Sequence, residues 1–275
     1  MPLKSFRMIM NYDFRGDCYD TPPDRKKILG DYLLLNSRFF FFYRMIRLIA
    51  SSNYVIRKKG RYSIEDWCES SYYALRSVEG CGGKIHVSGL SNIDKVQNPV
   101  VFVGNHMSTL ETFLLPGLIC PRKPSSFVVK KELVESFYFG PIMRGTLPIV
   151  VGRHNPMDDL RVILEEGVEK LKSGRSIIVF PQHTRSVQFK PKEFNSVGVK
   201  LAKKADVMVI PIAVKTDFWG NGKKIKDFGR VSRDKDVYIE FGEPMSVDGN
   251  GKETHNKIVE FIKSRLTKWG GSIAE

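Results

Sequence analysis

From Lys84 onward, short β-rich apolar runs alternate with amphipathic helical stretches, and this alternation restricts the possible folds more than any other feature of the chain. The strand segments are Lys84 to Ser88, Val100 to Val103, Phe127 to Val129, Ile149 to Val151, Ser176 to Phe180, Val207 to Val214 and Val237 to Phe241. Most are apolar at nearly every position, as strands are when both faces of a sheet are covered. Between or after them lie the helical segments Ser108 to Leu118, Pro156 to Lys172, Asn195 to Lys204 and Glu253 to Lys268. The pattern predicts an α/β protein, with a largely parallel mixed sheet covered by helices.

An apolar segment, Tyr32 to Ile56, precedes this body, but Arg38, Arg44 and Arg47 interrupt it. No stretch reaches the roughly 20 apolar residues that a membrane-spanning helix needs. On a helical wheel Asn36, Tyr43, Arg44, Arg47 and Ser51 share a polar stripe. Leucines and phenylalanines fill most of the remainder, with Arg38 and Phe40 out of phase. Lys and Arg number 44 against 30 Asp and Glu, a formal net charge of +14, and no acid falls between Leu33 and Arg61. A greasy face with a cationic edge suits a helix lying on anionic lipid headgroups, although packing on the body accounts for the same pattern. Residues 1–80 are therefore expected to form an amphipathic helical membrane-docking segment, and residues 81–275 the α/β domain. Gly60, Gly80, Gly82 and Gly83 fall near the junction.

Several classes are disfavoured. Cys18, Cys68, Cys81 and Cys120 are scattered, without metal-ligand spacing, so neither a metal site nor a disulfide framework is expected. The first 25 residues mix charges with Pro22-Pro23 and lack the apolar run of a signal peptide. There is no Gly-Lys-Ser/Thr loop and no Gly-x-Ser-x-Gly elbow. Aromatic residues in Phe39 to Tyr43 cluster with aliphatics instead of interleaving with bases, so no nucleic-acid partner is expected.

The residues suited to chemistry follow strand segments, where open α/β sheets bind ligands. His106 comes just after Val100 to Val103 and can act as a base near neutral pH if a carboxylate holds its other ring nitrogen. Glu111 is the nearest acid. Five residues turn about 140° within a helix, so the two meet only if His106 precedes the helix start. Ser108 as N-cap permits that, but Ser108-Thr-Leu-Glu111 is equally a capping box, and spacing leaves both readings open. A second His-x4-Asp, His154 to Asp159, is better explained by Asn155 as N-cap and Pro156 at the first helical position. Arg185, Thr184 and Ser186 follow Ile177 to Phe180 and could hold an anion, while Lys130, Lys131 and Arg153 follow other strands.

Taken in order, Asn105-His106-x4-Glu111, Val129-Lys130-Lys-Glu-Leu133, Leu147-Pro-Ile-Val-Val-Gly-Arg153, Phe180-Pro-Gln-His-Thr-Arg-Ser186 and Val209-Ile-Pro-Ile-Ala-Val214 resemble the motif blocks of the glycerophospholipid acyltransferases. The 1-acylglycerol-3-phosphate O-acyltransferase family is the nearest match, over about Val100 to Ala213, and Phe241-Gly-Glu-Pro244 is similar to its late strand and turn. The resemblance implies transfer of a fatty acyl group from coenzyme A or acyl carrier protein to 1-acylglycerol-3-phosphate, giving phosphatidic acid without a cofactor. It makes His106 the general base and Glu111 its orienting carboxylate. Lys130, Arg153, Gln182, His183, Thr184, Arg185 and Ser186 become substrate-binding residues. It also implies docking on the cytoplasmic face of an anionic membrane, peripheral or monotopic.

Two positions depart from the common family pattern. Glu111 replaces aspartate, and Gln182-His183 replaces glutamate-glycine in the third block. They keep two alternatives in view: an acyltransferase for another acceptor, such as lyso-ornithine lipid or a lipid A precursor, or a non-catalytic anionic-membrane binder.

Overall fold

The alternating segments form an eight-stranded mixed sheet in the computed structural model, which describes residue 14 and residues 16–274. Most of the stretch examined for a signal peptide lies outside the described residues. In chain order the elements begin with β1 (Tyr19–Asp20), α1 (Leu29–Leu33), α2 (Arg38–Lys59), α3 (Ile64–Gly80), β2 (Ile85–Ser88) and α4 (Ser91–Asp94). There follow β3 (Val101–Gly104), α5 (Leu110–Ile119), β4 (Ser125–Lys130), α6 (Lys131–Glu135), α7 (Gly140–Gly145), β5 (Ile149–Val151) and α8 (Pro156–Lys172). The chain continues through β6 (Ser176–Val179), β7 (Gln188–Phe189), α9 (Val197–Ala205), β8 (Val209–Lys215), β9 (Val237–Phe241), α10 (Lys252–Lys268) and β10 (Ser272–Ile273).

The strand order is β1-β2-β9-β8-β3-β6-β4-β5, and β7 pairs with β10 separately. Strands β8, β3, β6, β4 and β5 are mutually parallel, so their carboxyl ends share one edge. β9 runs antiparallel to β8, because the chain returns through a loop instead of a helical crossover. Val101, Phe102, Ile177, Ile178, Ile210 and Ile212 are fully buried in the sheet centre, as their unbroken apolar runs require. Helix α9 lies so close to β3 that a Cβ on Gly198 would come within 2.6 Å of Val103.

Tyr32 to Ile56 is not one helix. Leu35 and Asn36 take left-handed backbone conformations, φ +52° and +55°, and split it into α1 and α2. Much of the greasy face packs inward. Phe41 is fully buried, with its ring 5.6 Å from Phe218 and 5.1 Å from Trp219, and Phe42, Met45 and Leu48 are buried on the same side. Phe40, out of phase on the wheel, is buried against α1, where only a glycine at position 30 leaves room for its ring. No helix among the described residues is long and apolar enough to cross a membrane.

Helix α3 starts with a capping box, in which Ser63 and Asp66 exchange side-chain and backbone hydrogen bonds. It packs along α5, with the Ser71 hydroxyl donating to the Leu114 carbonyl at 2.9 Å and accepting the Gly117 N–H at 2.8 Å. Packing is continuous across the junction near residue 80. A Cβ on Gly80 would meet Ile28, and one on Gly83 would meet both Phe218 and Val78.

Candidate active site

All five parallel strands deliver residues to one edge. Beyond β3, the Asn105 amide accepts the Val214 N–H and donates to the Val214 carbonyl, both at 2.8 Å, which prolongs the β3–β8 pairing by side chain. His106 follows immediately. Its backbone N–H donates to Gln182 Oε1 at 2.6 Å, and its carbonyl accepts the Ser186 N–H at 2.9 Å. The loops after β3 and β6 are thus bonded to each other. The imidazole stacks on Phe180, with centroids 4.5 Å apart and planes 8° from parallel.

His106 Nδ1 lies 2.8 Å from Glu111 Oε1. The carboxylate is fully buried, whereas the histidine side chain is 17% exposed. Oε1 also accepts the N–H groups of Met107 at 2.7 Å and Ser108 at 2.8 Å, while Oε2 accepts the hydroxyls of Ser108 at 3.0 Å and Thr216 at 2.6 Å. Glu111 therefore serves the turn before α5 and the histidine together. The capping and orienting readings describe one carboxylate, because α5 starts at Leu110 and leaves His106 ahead of it. Burial alone opposes ionisation of Glu111, but the His106 contact and the Thr216 hydroxyl outweigh it and hold the carboxyl below its ordinary range. With Nδ1 committed to Glu111, Nε2 is the nitrogen left to take a proton.

Cations gather beside this pair. Lys130 ends β4, and Arg153 follows β5 with its guanidinium on the His183 carbonyl. Arg153 adopts φ +59°, a conformation held by Asp159 Oδ1, which accepts the N–H groups of Gly152 at 3.0 Å and Arg153 at 3.1 Å. Arg185 donates to Thr109 and lies 2.5 Å from Asp227 Oδ1. Partial burial and then the charges of Arg153, Lys226 and Arg185 press the Lys130 ammonium below its usual range, a sign of concentrated positive charge.

The sequence-predicted residues divide by location. Gln182 is buried and spent on the His106 backbone, and the Ser186 hydroxyl donates to the Gln188 carbonyl. His183 and Thr184 are exposed, and Thr184 accepts from Lys226. Lys131 pairs with Glu135 at 3.5 Å on the exposed face of α6. At the second His-x4-Asp, Asn155 caps the Met157 N–H at 3.0 Å while Asp159 serves the Arg153 turn. Sequence reasoning missed Thr216, Lys226 and Asp227. Thr216 follows an apolar strand at the same edge, as His106 does. Lys226 and Asp227 sit in the long β8–β9 connection, where no local pattern marks them.

A family model described as Acyltransferase matches residues 84–215. A 1-acyl-sn-glycerol-3-phosphate acyltransferase of Pseudomonas aeruginosa is 30% identical over 239 residues, covering 86% of each chain. The chain belongs to this acyltransferase family. It is also similar to the chloroplastic 1-acyl-sn-glycerol-3-phosphate acyltransferase LPAT1 of Arabidopsis thaliana, 30% identical over 169 residues, 61% of this chain and 43% of that one. The crystal structure of the 1-acyl-sn-glycerophosphate (LPA) acyltransferase PlsC from Thermotoga maritima shares the fold. It has a TM-score of 0.67 at 22% identity and covers 90% of this chain and 100% of that one. The family is one of O-acyltransferases, and its matched region includes both the His106–Glu111 pair and the third-block loop. Residues 216–236, with Lys226, fall beyond the matched region.

Proposed function

We propose that this acyltransferase moves a fatty acyl group from a thioester, on coenzyme A or acyl carrier protein, to the hydroxyl of 1-acylglycerol-3-phosphate, giving phosphatidic acid. The observation that carries the proposal is the 2.8 Å contact between His106 and buried Glu111, beside Lys130, Arg153 and Arg185. The acceptor hydroxyl gives its proton to His106 Nε2 as its oxygen attacks the thioester carbonyl. Glu111 stabilises the imidazolium. The tetrahedral intermediate collapses with cleavage of the C–S bond, and the departing sulfur takes the proton back from His106. No acyl-enzyme and no cofactor are needed.

Lys130, Arg153 and Arg185 neutralise the acceptor phosphate, with the Thr184 and Ser186 hydroxyls and the exposed His183 at its rim. Such a cation cluster favours a phosphate acceptor over lyso-ornithine lipid, which has none. Gln182 acts at one remove, through the His106 backbone. A carbonyl oxygen serves there as well as a carboxylate oxygen, so the departure from glutamate does not disarm the site.

The cytoplasmic face of an anionic membrane is the proposed location. Leu29, Leu33, Leu35, Phe39, Tyr43 and Ile46 leave large apolar side chains exposed on α1, α2 and the turn between them. Docking there spares the acyl chain about 0.8 kcal/mol per methylene of exposure to water. The test is thiol release from palmitoyl-coenzyme A and from palmitoyl-acyl carrier protein in mixed micelles, with 1-acylglycerol-3-phosphate, lyso-ornithine lipid or a lipid A precursor as acceptor. Wild type is expected to prefer the first acceptor, and His106→Ala to lose roughly 10²- to 10⁴-fold in turnover with the fold retained. A folded His106→Ala enzyme at full rate refutes the mechanism, and equal use of a phosphate-free acceptor refutes the role of the cations.

A further inference from the structure

We propose that Lys226, on the loop joining β8 to β9, is a contact residue for the acceptor's phosphate, a role for a segment beyond residues 84–215, which the Acyltransferase family model matches. The inference rests on the phosphate-bearing acceptor proposed above. The loop is a built element. Trp219 pairs with Val231 at its neck, and the Gly220 N–H donates to the Arg230 carbonyl at 2.9 Å. The strands of the neck approach so closely that a Cβ on Gly229 would lie 1.7 Å from the Gly220 carbonyl oxygen, so only glycine fits there. Within the loop the Gly222 N–H donates to the Lys226 carbonyl at 3.0 Å, and Trp219 Nε1 to the Asp227 carbonyl at 3.0 Å.

Four further bonds fasten the loop to the catalytic edge. Asn221 donates to the Met107 carbonyl at 2.9 Å, one residue past His106. Asp227 Oδ1 takes Arg185 at 2.5 Å and the Thr109 hydroxyl at 2.7 Å. Lys226 Nζ donates to Thr184 Oγ1 at 2.6 Å, which sets a fourth cation beside Lys130, Arg153 and Arg185 on the third-block loop. The Lys130 ammonium responds to Lys226 as well as to the two arginines, so the four charges act on a common space. A phosphate monoester, with up to two negative charges and three strong acceptor oxygens, answers that arrangement.

The loop also reaches toward α2. Phe228 lies 5.1 Å from Phe42, ring centroid to ring centroid, and lines a groove of about 290 Å³ with Arg38, Phe39, Tyr43 and Ile46. Phe228 and Lys226 are two residues apart, so the apolar groove and the fourth cation share one loop.

The experiment is calorimetric titration of the full chain with 1-hexanoylglycerol-3-phosphate below its micellar concentration. Lys226→Ala and Lys226→Gln are compared with wild type and with Lys224→Ala, which removes the same charge from an exposed position of the same loop. Both Lys226 variants are expected to raise Kd about ten- to hundredfold, as loss of a charge-assisted hydrogen bond does, while Lys224→Ala stays within about threefold. Lys226 is exposed, so melting temperatures should not change. Unchanged Kd in both Lys226 variants overturns the proposal while leaving the acceptor assignment intact, and so does an equal loss in Lys224→Ala. A wild-type enzyme that neither binds nor acylates the compound overturns the acceptor assignment and this proposal with it.

Discussion

Thr216 Oγ1 donates to Glu111 Oε2 at 2.6 Å, so a residue just past β8 fixes the carboxylate whose other oxygen holds His106 Nδ1. Thr216→Val keeps the shape and deletes the bond. Turnover is expected to fall about tenfold, equivalent to the roughly 1.4 kcal/mol that one hydrogen bond to a charged group contributes. Glu111→Gln should cost about 10²-fold or more, because its uncharged amide does not stabilise the imidazolium. Steady-state kinetics on purified, folded variants decide this, and wild-type kcat in Glu111→Gln contradicts the proposed role.

The same carboxylate makes stability depend on acid. Its folded pKa lies below the ordinary 4.5, because the His106 and Thr216 contacts overcome a burial that would by itself raise it. The unfolded chain therefore binds this proton more readily. The stability contributed by ionised Glu111 is complete above the unfolded value and is lost as pH falls through the folded one. Urea unfolding at steps from about pH 6 to about pH 3.5 should show a decline that is shallower in Glu111→Gln. Parallel curves for the two proteins argue against a depressed carboxyl.

Gln182 offers a contrast between chemistry and charge. Its buried amide oxygen accepts the His106 N–H at 2.6 Å, so Gln182→Leu leaves that donor unpaired. A cost of about 1–3 kcal/mol in stability is expected, with a fall in kcat as the histidine loop loosens. Gln182→Glu keeps an acceptor oxygen and should retain both fold and turnover. Denaturant midpoints and kcat for the pair test this, and a harmless Gln182→Leu removes the argument.

Neighbours on α2 should behave in opposite ways. Phe39 is 68% exposed and Ile46 55%, whereas Phe41 is wholly buried against Phe218 and Trp219. Phe39→Ser with Ile46→Ser is expected to weaken binding to anionic vesicles several-fold at unchanged melting temperature. Phe41→Ala should lower stability by about 3–5 kcal/mol, the cost of emptying a packed aromatic site. Vesicle cosedimentation and thermal melts separate the two effects, and unaltered vesicle binding by the double variant argues against docking through this face.

Much of this architecture is legible in the chain itself. The apolar runs in Ser176 to Phe180 and Val207 to Val214 mark strands covered on both faces, and each lies within two residues of its structural limits. The helical period does the same for α8 and α10. Tyr32 to Ile56 was less readable, because an apolar stripe does not say whether protein or lipid will cover it. The turn at Leu35 and Asn36 also lacks the glycine that commonly marks a left-handed backbone. Nothing local marks Ile64 to Gly80 as a helix of the body, since what buries it is α5, more than 40 residues away along the chain.

Residue order alone determined the central strands and the helices α8 and α10, and it permitted His106 to stand ahead of a helix start, since these follow from local periodicity, capping and the turn of a helix. Only the tertiary structure decided that Thr216 closes on Glu111, that Gln182 is tied to a backbone instead of facing outward, and that Lys226 joins the cations. Those pairings span 105, 76 and 42 positions of chain, and contacts at such separations are set by which strands lie side by side in the sheet, which no local pattern encodes.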